Sequence, residues 1–419
     1  MKPDFIADHQ YRAAIEAELH ARPVELVGAT LRARRLVFAM PPTPDVMRQA
    51  IARFREAVAA RDVDLPEHDG RQLSYRCDDL AITWEFHTEF ITVSWLSELT
   101  DQENWPPCLC LEALQNGQFV AASRIDVTGG MRVDPALLPG FQLTSLCLAG
   151  VADDAGEVAT DFVVNQDGFT RLEAACGNLT SFKRSVMVRR LLEVETYRVM
   201  ALMGLPLARQ LSPALRAAEE ELTAVTESLG YATDSVQTSL DRLHALSVQT
   251  GQLGERMGYR FAASSAYGAV LRNRLSELNE IPRDQGSTLA GYIGDRVEPA
   301  LATCAAMEKR LHVLSGKIAN STELLNARIG LDMQVQNKAV LDTIAATAES
   351  QFRLQRTVEG LSTIAISYYL IGILGYTLAG PLGILHLDKV LVLSIAAPAA
   401  VLAVWLTMRS IRKRHATHN

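Results

Sequence analysis

His87-Thr88-Glu89 and His20-Ala21-Arg22 each place an imidazole one residue from a charged partner, and Glu193-Val194-Glu195 brings two carboxylates close together along the chain. Histidine and glutamate exchange protons near neutral pH when burial or a neighbouring charge tunes their pKa values. No nucleophile–base pair, phosphate-binding glycine loop or H-E-x-x-H spacing accompanies them. His87 and Glu89 also fall in a predicted hairpin turn, where polar residues are expected in any case. The preferred reading of these residues is therefore hydrogen bonding and packing. Glu193 and Glu195, with Arg189 and Arg190, read as a solvated face or an ion-pair network rather than a metal site. No enzyme activity is expected of this set, and no metal ligands are identified by it.

Composition narrows the alternatives. A net charge of −7 over 419 residues argues against a nucleic-acid binder, which normally shows a basic face. The six cysteines, Cys77, Cys108, Cys110, Cys147, Cys176 and Cys304, form no C-x-x-C pair. They read as free, mostly buried thiols in a reducing compartment.

The elements that must position these residues follow from periodicity and punctuation. Residues 4–22 look helical, 31–40 read as a strand, and Thr43-Pro44-Asp45 opens a helix running to about Arg61. Residues 80–86 and 90–96 are rich in β-branched and aromatic side chains and flank His87-Thr88-Glu89 as a hairpin. Further strands are expected at 118–127, 143–151 and 157–164. The fold class is thus α+β, with a mixed sheet in a domain spanning 1–177. A helical region follows over 178–286, punctuated by Pro206 and Pro213, with one helix from Pro213 to about Gly258 and another over 259–280. A long stalk helix then spans 287–360. Along the stalk, Leu311, Leu314, Ile318, Leu325, Ile329, Met333, Val340, Ile344, Leu354, Val358 and Leu361 recur at spacings of three, four or seven, a coiled-coil-like seam that needs partner helices.

Residues 361–385 contain no charged side chain, and none recurs from 390 to 408. About 20 mostly apolar residues span the hydrocarbon of a bilayer. The C-terminal part is therefore expected to be a two-helix transmembrane hairpin over 361–408, with spans near 361–380 and 389–408. A basic tail occupies 409–419. Arg353 and Arg356 precede the hairpin, and Arg409, Arg412, Lys413 and Arg414 follow it, whereas the connector offers His386, Asp388 and Lys389. Basic flanks mark the cytoplasmic side. Met1 to Gln10 do not read as a signal peptide. Both termini are expected in the cytoplasm, with the chain in a bacterial inner membrane. If the stalk seam keeps its phase into the first span, it continues through Leu354, Val358, Leu361, Ala365, Tyr368 and Gly372, with Thr377 at the outer mouth.

The stretches at 18–23 (ELHARP), 84–90 (WEFHTEF), 190–198 (RLLEVETYR) and 367–376 (SYYLIGILGY) resemble a bacterial family of predicted membrane-anchored proteins without an established activity, over essentially the whole chain. The resemblance marks His20, Arg22, Pro23, His87, Glu89, Glu193 and Glu195 as motif residues of unassigned role. The architecture is also similar to that of CorA-like divalent-cation channels. In those proteins a cytoplasmic α/β domain leads into a long stalk helix and two C-terminal spans, and five copies surround a pore lined by the first span. Their G-M-N signature, often preceded by G-I-Y, is met here by Gly372-Ile373-Leu374-Gly375-Tyr376-Thr377. Gly372 and Gly375 match, while Tyr376 and Thr377 stand in place of methionine and asparagine. In that class the asparagine is thought to hold the hydrated ion, so magnesium selectivity does not carry over.

Two functions compete on these grounds. One is a homo-oligomeric cation channel or transporter, pentameric if CorA-like, with a divalent cation as transported or regulatory ion and no other cofactor. The other is a membrane-anchored cytoplasmic sensor or scaffold. Both require the same topology. A reporter fused after Asn419 should behave as cytoplasmic, and Lys389 should be labelled from outside. Outward exposure of Arg412 in a labelling assay would show the hairpin to be misread.

Overall fold

The computed structural model describes residues 9–12, 15, 25–61, 63, 65, 71–231, 235–377 and 389–416. The chain packs into two units, Met1–Thr322 and Glu323–Asn419.

The first unit is built on a nine-stranded sheet. Its strands are β1 (Leu31–Ala39), β2 (Gln72–Cys77), β3 (Leu80–Phe86), β4 (Phe90–Ser97), β5 (Gln118–Thr128), β6 (Cys147–Val151), β7 (Gly156–Val164), β8 (Thr170–Ala175) and β9 (Ile281–Pro282). Their order is β2-β3-β4-β1-β5-β8-β7-β6-β9. The β5–β8 pair is parallel and the other pairs are antiparallel. The hairpin around His87-Thr88-Glu89 and the mixed sheet follow the sequence reading. The strand expected over 143–151 begins only at Cys147, because 143–145 form a 3-10 turn. Strands β2 and β8 were not anticipated; their polar, short runs (QLSYRC and TRLEAA) lack an apolar alternation long enough to announce a strand.

Strand side chains alternate between two faces. On one face Leu36 and Phe38 of β1 join Trp84, Ile91, Val93 and Leu73 in an apolar core. Helix α1 (Pro44–Ala59) covers it with Ala50, Phe54 and Val58, a four-residue repeat that fits one helical stripe. Phe54 lies 4.4 Å from Trp84, ring centre to ring centre. The Trp84 indole N–H donates to the Leu109 carbonyl at 3.1 Å, which satisfies its one polar atom. On the other face Leu31, Ala33 and Val37 pack with Met187, Val188 and Leu191 of helix α2 (Ser181–Leu202).

Helices α3 (Gly204–Tyr231), α4 (Val236–Ser276) and the start of α5 (Leu289–Thr377) follow. Their buried residues recur in steps of three and four: Ala208, Leu211, Leu215, Ala218, Leu222 and Val225 in α3, and Ala300, Cys304, Met307, Leu311, Leu314 and Ile318 in α5. This is the spacing of helices packed side by side. The expected breaks at Pro206 and Pro213 do not occur, since both prolines lie within α3. Nor does a helix end at Gly258, where α4 continues. Pro206 sits in the first turn of α3, where a missing donor is tolerated best, whereas Pro213 lies inside the helix. Gly268 of α4 faces Leu301 so closely that a Cβ there would strike its methyl group.

The seam expected along the stalk divides in two. Leu311, Leu314, Ile318 and Leu325 are buried, whereas Met333, Val340, Ile344, Leu354, Val358 and Leu361 are exposed. In the second unit α5 is accompanied by α6 (Lys389–Ala416). Two stretches, one within α5 and one over Val390–Ser410, are long and apolar enough to cross a membrane, and only 6% of each is buried. The connector with His386 and Asp388 lies outside the described residues.

Gly177 joins β8 to α2 with its N–H bonded to the Gly130 carbonyl at 2.9 Å. A Cβ at this position would land on the Gly129 carbonyl oxygen, which is backbone and cannot swing away. Gly177→Ala should cost about 1–3 kcal/mol of stability, the usual range for overpacking. Denaturant unfolding followed by tryptophan fluorescence measures this; an unchanged midpoint would mean that the loop relaxes freely.

Candidate functional site

The residues singled out by sequence fall in three places. Glu89 ends the β3–β4 turn and is 3% exposed. It lies against α4, where the Arg260 guanidinium donates to both of its oxygens at 3.1 and 2.5 Å. Tyr259 and Tyr267 stand beside it. Burial, and then the adjacent Glu89 carboxylate, raise the pKa of Tyr267. His87 stacks on Phe90 at 3.9 Å between ring centres, and Phe90 meets Tyr197 and Tyr267 edge-on. The turn is thus a clasp between sheet and helix. A carboxylate held on both oxygens by one guanidinium is poorly placed to shuttle protons. His20, Arg22 and Pro23 lie outside the described residues.

Glu193 and Glu195 lie on α2 and are 7% and 2% exposed, so the expected solvated face is corrected to a buried one. The ion-pair part of that expectation matches the geometry. Glu193 accepts from Arg189 at 2.9 Å and from Arg274 of α4 at 2.5 Å. Arg274 is also 3.3 Å from Glu277, which in turn pairs with Arg190 at 3.0 Å. In the other direction Arg189 lies 3.8 Å from Glu85 on β3, and Glu85 is 2.9 Å from Arg35 on β1. Seven charges therefore alternate in sign from the centre of the sheet to α4. Burial pulls the Arg274 pKa down, but Glu193 and Glu277 outweigh it and leave it raised. Glu195 accepts from Arg198 on both oxygens at 2.7 Å. The same Arg198 guanidinium sits 5.4 Å from the Phe162 ring, which stacks on Tyr292 of α5. Phe162 reaches that position from a bulge in β7 with a left-handed backbone, φ 56°.

Sequence spacing found α2 and the hairpin but not their charge partners. Arg35, Glu85, Arg260 and Arg274 come from three other elements, and no local pattern links them. The only hint was the density of arginine in 32–35, unusual for a strand.

The third place is the first apolar stretch of α5. Leu354, Val358, Leu361, Ala365, Tyr368 and Gly372 are all exposed, as are Tyr376 and Thr377, while Gly375 is half-buried. Thr363, Ser367, Leu370, Ile371 and Leu374 are buried or half-buried. The matching positions on α6 are Val392, Ala396, Ala397, Ala400, Val404 and Met408. The Thr377 hydroxyl is turned back on its own helix, donating to the Ile373 carbonyl at 2.9 Å.

Among the described residues no cluster of three or more histidine, cysteine, aspartate or glutamate side chains could hold a metal ion. The cysteines are free, and all but Cys77 are buried. Burial pushes the Cys147 thiol up to about 12, which leaves it protonated and unreactive.

Residues 7–415 match a family described as protein of unknown function, DUF3422. The chain belongs to that family. No curated protein matches it. The family match covers the clasp, the charge chain and both apolar helices together.

Breaking the clasp should be costly. Arg260→Met would leave Glu89 buried without its guanidinium, a change that typically costs about 3–5 kcal/mol. Glu89→Gln, which keeps two hydrogen-bonding atoms, should cost less. Thermal unfolding of both variants in the full-length protein checks the order; equal stability to the parent would remove the clasp as a structural link.

Proposed function

We propose that this protein is an integral membrane protein of a bacterial inner membrane, anchored by α5 and α6, with both termini in the cytoplasm. Identical copies assemble around the first span in the manner of CorA-like cation channels. One observation carries this reading: the stripe at 354–372 is exposed while the other side of the same helix is covered. At about 100° per residue, Leu354, Leu361, Ala365, Tyr368 and Gly372 lie about 160° around the helix from Thr363, Ser367, Leu370 and Leu374. The hairpin thus uses one face of the span and leaves the heptad face for other copies. The same phase runs back through Ile344 and Val340. An exposed apolar stripe of this length needs cover. A second copy, carrying the same stripe in the same membrane, matches it from end to end.

A tether without conduction is the second reading. It is favoured by the lack of Asp, Glu, Lys or Arg in 361–385 and 390–408, since ion paths through membranes commonly carry such groups. Backbone carbonyls, hydroxyls and apolar constrictions also line pores, and Tyr368 and Gly372 supply the first two. Neither reading includes catalysis, because Glu89, Glu193 and Glu195 are each held by arginine.

The mass of the protein–detergent particle should correspond to several copies, and Ile344→Asp or Leu354→Asp should shift it toward the monomer. Cysteines placed at Ala365, Tyr368 and Gly372 should react with water-soluble reagents, while those at Ser367, Leu370 and Leu374 should be protected. A monomeric parent rules out the assembly. Uniform protection in an oligomeric parent selects the tether.

A further inference from the structure

Cys77, Cys108 and Cys110 gather where the outer strand of the sheet meets the segment after β4. Strand β2 stands at one end of the strand order, beside β3. Tyr75 and Cys77 are two residues apart on it and so share a face. The Tyr75 hydroxyl donates to the Cys108 carbonyl at 2.6 Å, which brings the 3-10 turn Pro107–Leu109 onto that face. Cys77 packs against the apolar core that contains Cys108 and Cys110. Its thiol is within hydrogen-bonding reach of the Cys108 thiol. A disulfide requires adjacent side chains, the arrangement these two have. Cys110 is fully buried, and its Sγ is turned to the Cys108 carbonyl at 3.5 Å.

Cys77 and Cys108 also line one cavity of about 560 Å³. Cys77 is half-buried and Cys108 is 9% exposed, so a small reagent entering there meets Cys77 first. Burial, and then the neighbouring Cys77, push the Cys108 thiol up to about 12. Cys108 is therefore suited to the second step of an oxidation and not to the first. The cavity wall carries the carboxylates of Asp78, Asp79, Glu98, Asp101 and Glu103 and the guanidinium of Arg61. Even with Asp101 paired to Arg34, acidic groups predominate. Such a wall repels anionic oxidants and admits neutral ones.

We propose that Cys77 and Cys108 are a reversible redox pair, converted to a disulfide by a small neutral hydroperoxide that reaches them through this cavity. The Cys77 thiolate attacks one peroxide oxygen. An S–O bond forms, the O–O bond breaks, and the departing hydroxide takes a proton to become water. Cys108 then attacks the Cys77 sulfur. The S–S bond forms, the S–O bond breaks, and hydroxide leaves with the Cys108 proton as a second water. The two sulfurs together lose two electrons, which the peroxide takes up. The crosslink spans the β3–β4 hairpin in the chain and fastens the outer strand β2 to the turn beyond β4. In a reducing compartment, cellular thiols return the pair to its free state.

The test uses full-length protein in detergent, reduced and then freed of reductant. Hydrogen peroxide or oxidised glutathione, an anion at neutral pH, is added at equal concentration. Remaining thiols are alkylated after unfolding, and peptides are mapped without reductant. Peroxide should give a Cys77–Cys108-linked peptide that dithiothreitol separates, with Cys110, Cys147, Cys176 and Cys304 recovered as alkylated thiols. Oxidised glutathione should form the link severalfold more slowly. Cys108→Ser should stop the reaction at a Cys77 sulfenic acid that dimedone traps. Amide hydrogen exchange along β2 should slow in the crosslinked protein. Linkage through Cys110 overturns the pair, as does peroxide that leaves both thiols free or carries Cys77 to sulfinic acid with Cys108 still a thiol. Equal rates with the two oxidants overturn the choice of a neutral oxidant, and unchanged exchange along β2 overturns the fastening.

Discussion

A buried guanidinium obliges its surroundings to supply acceptors, and β1 carries three of them at the centre of the sheet. Arg32 is met by both oxygens of Asp126 on β5, at 2.6 and 2.9 Å. Arg34, fully buried, donates to Ser97 at 2.9 Å and to Asp101 at 3.0 Å. Arg35 points to the opposite face, to Ser94 and Glu85. These partners come from β3, β4, β5 and the loop after β4, so the three side chains fix the register of every strand beside β1. A slip by one residue would turn Arg35 into the tryptophan-rich core and Leu36 into the charge network. Leaving any of these charges unpaired would cost several kcal/mol. Apolar packing alone tolerates more variation than this.

The same chemistry attaches the sheet to the helices. Glu89 joins the β3–β4 turn to α4, Glu193 joins α2 to α4, and Glu195 holds the arginine that covers Phe162 against Tyr292 of α5. Apolar contacts between the layers are also present, but they are non-directional. The ion pairs are directional, and they define one arrangement of helix on strand. Such links hold or release as units, because removing one partner strands the other.

The broad plan was legible in the sequence because it is written in local patterns. The β3–β4 hairpin is announced by β-branched and aromatic residues around a polar turn, and the apolar helices by length without charge. The α1 stripe of Val46, Ile51, Phe54 and Val58 was readable from helical spacing, and Phe54 and Val58 are fully buried. What could not be read depends on partners distant in the chain. Glu193 looked solvent-facing because its helix is rich in charge; it is buried because Arg274, 81 residues later, reaches it. The polar row that register forms from Ser74, Thr83, Ser94, Arg35, Ser123 and Thr170 is invisible in any single strand, since each of six strands contributes one residue. The prolines of α3 suggested breaks, yet the helix runs unbroken through both. The stalk seam read as one stripe, yet its first part is filled by helices of the same chain and its later part is not.

The strand β9 is only two residues long, pairs with β6 through Ala149 and Gly150, and contains Pro282. Proline has no amide hydrogen to offer a further strand. This border of the sheet is therefore a poor template for adding another chain edge to edge, the route by which exposed strands grow into fibres. On the membrane-anchored reading proposed above, the protein meets its own copies at high local density. Closing that border with proline directs any self-association away from the sheet and toward surfaces that make finite particles.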